Sequence, residues 1–113
     1  MTLALILFAV AAVGGLVLAL QRFTGKPTPS LPLALVHGLV AASGLVALIV
    51  FVANDGGVTA AKVALVLLVA AALGGFFLFS RHLKKIALPI PIIVVHALVA
   101  LAGFVTLLIG ALH

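Results

Sequence analysis

The chain has 113 residues, 67% of them hydrophobic and 6% charged, with six basic residues against one acid and a formal charge of +5. Soluble domains carry roughly 25% charged residues, so this composition excludes an ordinary soluble domain and makes lipid the expected solvent for most of the surface. The chain contains no cysteine, which excludes disulfides, thiolate metal sites, iron–sulfur clusters and covalently attached haem.

A bilayer core about 30 Å thick takes roughly 20 apolar helical residues. The first segment of that length, 2–21, carries the pair Gly14-Gly15. It lacks the basic start of a secretory signal and is long for a signal's apolar stretch, so a retained helix is expected. A polar break with Arg22 and Lys26 follows. The second segment, 31–53, opens with Ser30 as a plausible N-cap and Pro32 in the first turn, then carries His37, Ala41 and Gly44. Asp55, the only acid, stands before Gly56-Gly57 and reads as a turn. The third segment, 59–80, starts near Lys62, whose side chain is expected to reach back to the interface, and ends after Gly74-Gly75. The next break holds Arg81, His82, Lys84 and Lys85, with His82 expected in solvent or among headgroups. The fourth segment, 89–112, carries Pro91, His96, Ala100 and Gly103. Trp and Tyr are absent, so no usual aromatic belt forms.

The first and third segments match at an offset of 60, with Gly14-Gly15 recurring as Gly74-Gly75. The second and fourth match at an offset of 59, where Pro32, His37 and Gly44 recur as Pro91, His96 and Gly103. Matching Ala and Leu is cheap in apolar helices; matching this Pro-His-Gly string is not. The expected fold is therefore all-α: a single integral membrane four-helix bundle, 1–113, made of two tandem hairpins, 1–57 and 58–113. A two-helix unit repeats in parallel, about an axis along the membrane normal. The basic residues concentrate at 22–30 and 81–88, so those loops are expected on the cytoplasmic side. Both termini then face the periplasm or exterior, in a bacterial inner membrane. The basic residues form no face interleaved with stacking aromatics, so nucleic acid is not an expected partner.

His37 and His96 each lie five residues past a proline, about 7–8 Å along a helix. Ionisable residues inside a membrane are costly and are functional candidates. The glycine pairs lie at similar height, and Gly44 and Gly103 continue the histidine faces at i+7. Glycine in membrane helices commonly serves close helix contact, and a lone histidine commonly makes an interhelical hydrogen bond. A duplicated pair at one depth favours ligation instead. Zinc takes about four protein ligands, which two histidines do not supply. Haem brings its own equatorial nitrogens and needs only two axial ligands. His37 and His96 are the expected iron ligands, with Gly14, Gly15, Gly74, Gly75, Gly44 and Gly103 making room for the ring. Arg22 and Arg81, with Lys26, Lys84 and Lys85, are expected to neutralise its propionates.

These features resemble the four-helix membrane b-type cytochromes, in which histidines on two helices hold haem b and glycines on neighbouring helices admit the ring. The resemblance covers the whole chain and rests on His37, His96 and the glycine pairs. One internal histidine per ligating helix implies one haem b per chain. The resemblance also implies electron transfer to or from quinone, beside a dehydrogenase or reductase subunit. No catalytic residue is expected: the chain reads as an electron-transfer or accessory subunit, embedded in lipid, rather than a self-contained enzyme. Two other classes stay open. One is a structural or assembly subunit of a membrane complex. The other is a small transporter, disfavoured because no acid lies within the membrane.

Overall fold

The computed structural model describes residues 1–55 and 58–113. It is all-helical, with α1 (Thr2–Phe23), α2 (Leu31–Asp55), α3 (Thr59–Leu83) and α4 (Ile90–Leu112). All four are long and apolar enough to cross a membrane. Gly56 and Gly57, where a turn is expected, lie outside the described residues.

The helix starts follow local chemistry. Ser30 Oγ accepts the Leu33 N–H at 3.4 Å, capping α2. Pro89 is the N-cap of α4, and Pro91 sits in the first turn, where a missing N–H removes no helical bond. The ends differ from expectation. α1 continues through Arg22 to Phe23, and α3 through Arg81 and His82 to Leu83, so these basic residues are helical rather than in loops. Polar side chains do not stop a helix; a change of backbone conformation does. Here it comes at Gly25 (φ 114°) and Lys85 (φ 56°).

The helices form a rod with extents of 43 × 19 × 19 Å. α1 lies along α2 and α3 along α4, while α2 touches α3 and α1 touches α4 less extensively. The four therefore make a closed ring in which α2 and α4 are diagonal neighbours across the bundle axis. One core cluster joins Ala4, Phe8, Leu48, Ala61, Ala64, Leu68 and Leu107. A second, toward the α1–α2 and α3–α4 connections, joins Leu78, Leu88 and Ile93. The outward face is apolar too: Leu39, Val66 and Phe76 are 67%, 69% and 72% exposed. Water would not favour such a surface, because burying apolar area is the main drive of folding in water.

The two connections at one end are tied together. Arg22 Nε donates to the Leu88 carbonyl at 2.9 Å. His82 Nε2 donates to the Pro29 carbonyl at 3.0 Å. The Leu88 N–H donates to the Pro27 carbonyl at 3.0 Å. His82, expected in solvent or among headgroups, is thus half-buried in a hairpin-to-hairpin contact.

Candidate functional site

His37 on α2 and His96 on α4 come together across the bundle. Their ring centroids are 6.4 Å apart and their planes are at 85°. Each Nδ1 lies 2.7 Å from a carbonyl of the adjacent helix: Ala11 for His37, Ala71 for His96. A carbonyl only accepts, so Nδ1 carries the hydrogen in both rings, and in the neutral imidazole Nε2 then holds the lone pair. The Nδ1 bond fixes both tautomer and ring orientation, which is how metal-ligating histidines are held.

The glycine pairs make this approach possible. A Cβ on Gly15 would lie 2.9 Å from His37 Cε1, and one on Gly75 would lie 3.2 Å from His96 Cε1. A Cβ on Gly14 would sit 3.7 Å from His37 Cβ, and one on Gly74 would sit 3.5 Å from His96 Nδ1. All four glycines, expected against a porphyrin edge, lie against the imidazoles themselves. A groove of about 290 Å³ opens beside His96, lined also by Ala71, Gly74, Phe77 and Val95.

The remaining expected residues sit elsewhere. Gly44 faces the Phe8 ring, with a Cβ placed 3.1 Å from its Cε1, and Gly103 faces Leu68, with a Cβ placed 2.8 Å from its Cγ. Both let a core side chain in. Arg22 is engaged with the Leu88 carbonyl. Arg81 lies with its guanidinium carbon 4.6 Å from the Phe77 ring centroid, a cation–π contact. Among the described residues, no group of three or more His, Cys, Asp or Glu gathers that could hold a metal ion.

Ala11 and Ala71 join the candidate site through their carbonyls and do not stand out in the sequence. They match at the offset of 60, but alanine matches carry little weight in apolar helices. Their contribution is a backbone carbonyl, which no residue type announces.

No protein family matches this sequence, and no curated protein or solved structure matches it.

Proposed function

We propose that this chain is an integral membrane protein, built by duplication of a helical hairpin, that holds one b-type haem between His37 and His96 and passes electrons. One observation carries the reading: two imidazoles on diagonal helices, each with Nδ1 committed to a carbonyl and Nε2 left for a ligand. Two imidazoles sharing one metal through Nε2, at about 2 Å each, have centroids about 6 Å apart. The observed 6.4 Å fits that spacing. The donor set also suits the cofactor, because haem needs two axial ligands and no more.

When bound, haem supplies one-electron chemistry at its iron. The residues of this chain do the rest. Ala11 and Ala71 orient the two imidazoles. Gly15 and Gly75 admit them. Phe8, Leu48, Leu68 and Leu107 pack in one apolar cluster and Leu78, Leu88 and Ile93 in another. Arg22, Lys26, Arg81, Lys84 and Lys85 put positive charge at the connection end of the bundle, where propionates or an anionic surface are favoured. Quinone or a neighbouring redox subunit is the proposed electron partner, and the bacterial inner membrane the proposed location.

The full-length chain, produced in haem-replete cells and purified in detergent, is expected to give a b-type reduced-minus-oxidised spectrum. His37→Ala or His96→Ala is expected to cut haem content by more than about tenfold, since loss of an outer-shell partner alone costs 10–100-fold in metal affinity. A colourless protein, or a spectrum unaltered in both variants, overturns the assignment. A second reading rests on the same Nδ1 bonds: they already join α1 to α2 and α3 to α4, as in a structural subunit. That reading calls for a folded, colourless protein.

A further inference from the structure

We infer that the groove between α3 and α4 seats one anionic phospholipid, with an acyl chain along the groove and the phosphate on Arg81. This rests on the integral-membrane part of the proposed function and not on haem. The groove, about 290 Å³, is lined only by residues of α3 and α4, among them Ala70, Gly74, Phe77, Ile92, His96 and Val99. Ala70 and Phe77 are exposed, so the groove opens outward, away from the space between His37 and His96. Ala70, Gly74, Phe77 and Arg81 stand at i, i+4, i+7 and i+11, on one face of α3. From Ala70 to Phe77 is about 10 Å along the helix, and Arg81 lies about 6 Å farther on, at the connection end. An apolar trough that ends in a cation matches an anionic lipid in both shape and charge.

The first hairpin supplies an internal comparison. At the offsets of 60 and 59, Gly74, Val95, His96 and Val99 have the same residues as counterparts: Gly14, Val36, His37 and Val40. Ala70, Phe77 and Arg81 instead correspond to Val10, Val17 and Gln21. The two hairpins agree at the histidine and differ where the groove and its cation lie. Ala70 leaves the room that two valine methyls take on α1. Gln21 is neutral, and its side-chain oxygen already accepts the Ser30 N–H at 2.9 Å. Arg81 packs its guanidinium carbon 4.6 Å from the Phe77 ring centroid. A cation–π contact uses no N–H donor, so the fork stays available for a phosphate, which guanidinium holds through two parallel bonds. Lys84 and Lys85 follow three and four residues later and are exposed. The only acid, Asp55, ends α2 at the opposite end of the bundle. Basic pockets between transmembrane helices suit anionic headgroups. A neutral lipid or a quinone would fill the trough and leave this charge unused.

The test is native mass spectrometry of the full-length protein in neutral detergent, with phosphatidylglycerol and phosphatidylcholine supplied at equal concentration. One phosphatidylglycerol per chain is expected to be retained in preference to phosphatidylcholine. Arg81→Gln, which installs the first hairpin's residue, is expected to cut that preference about fivefold, the worth of one cation beside an anionic lipid surface. Lys26→Gln removes the same charge from the same end but away from the groove, and is expected to leave the preference near its starting value. Ala70→Leu fills the groove without changing charge and is expected to lower retention too; α1 already carries a larger residue, Val10, at the equivalent place. Circular dichroism confirms that each variant is folded. Equal retention of the two lipids by the unaltered protein overturns the inference, whatever the variants do. Equal losses in Arg81→Gln and Lys26→Gln mean diffuse attraction and no site. Undiminished retention in Ala70→Leu means that the groove holds no chain. Displacement of the phosphatidylglycerol by an added isoprenoid quinone, or loss of a dimer in Ala70→Leu, gives the groove to that occupant instead. The visible spectrum of the same samples reads haem separately. A colourless protein that prefers phosphatidylglycerol overturns only the cofactor reading, and a haem-loaded protein without the preference overturns only this one.

Discussion

Gly38 and Gly103 are both helical, yet a methyl group would meet nothing within 4 Å at the first and Leu68 Cγ at 2.8 Å at the second. The same substitution should therefore have opposite signs. Glycine inside a helix is less favourable than alanine by about 0.5–1 kcal/mol. At Gly38 that is the whole effect, so Gly38→Ala is expected to stabilise by up to that amount. At Gly103 the methyl collides with Leu68 and also comes within 3.3 Å of Leu67 Cβ. Leu68 is buried in the core and has little room to withdraw. Overfilling a tight core costs about 1–3 kcal/mol, more than the helix gain, so Gly103→Ala is expected to destabilise. Denaturation of the full-length chain in one detergent, followed by circular dichroism, checks both. Equal effects at the two sites would show that these contacts do not decide stability.

The ends of α1 and α3 show one local device written with two different residues. After α1, the Lys26 N–H bonds the Gln21 carbonyl at 3.0 Å and the Gly25 N–H the Arg22 carbonyl at 3.4 Å. After α3, Ile86 bonds Arg81 at 3.0 Å and Lys85 bonds His82 at 3.1 Å. Both are Schellman endings, which place a left-handed residue just past the helix. Gly25 takes that conformation without a side-chain clash; Lys85, at φ 56°, does not. The left-handed conformation costs a residue with a Cβ roughly 1–2 kcal/mol. Lys85→Gly is expected to stabilise by about 1 kcal/mol and Gly25→Ala to destabilise by a similar amount. Thermal unfolding in detergent checks the pair, and opposite signs are the required outcome. The same ends mark where the sequence was hard to read. Long apolar runs announced four helices, and Ser30, Pro32 and Pro91 announced two starts. Arg22 and Arg81 looked like loop residues because charge ends an apolar run, whereas backbone geometry ends a helix. Gly25 carried a usable stop signal; Lys85 carried none.

Across the whole molecule, the candidate site was legible as far as residue types repeat. His37, His96 and the glycine pairs stood out because such matches are rare in apolar helices. That Ala11 and Ala71 lend carbonyls was not legible, nor that Arg22 turns to Leu88. Those depend on which helices close the ring, a long-range outcome that short motifs do not encode. Charge placement is the long-range feature the sequence does express. Five of the six basic residues lie at the end where the α1–α2 and α3–α4 connections meet. If the bundle spans the inner membrane as proposed, that end faces the cytoplasm and the α2–α3 connection faces out. The absence of cysteine makes a direct test possible, because any introduced cysteine is the only one. Asn54 and Lys84 lie at opposite ends and both are exposed. In intact spheroplasts, a membrane-impermeant maleimide is expected to label Asn54→Cys but not Lys84→Cys, and to label both after lysis. The reverse pattern would invert the orientation. Labelling of both sites in intact spheroplasts would mean that the bundle does not separate them across a membrane at all.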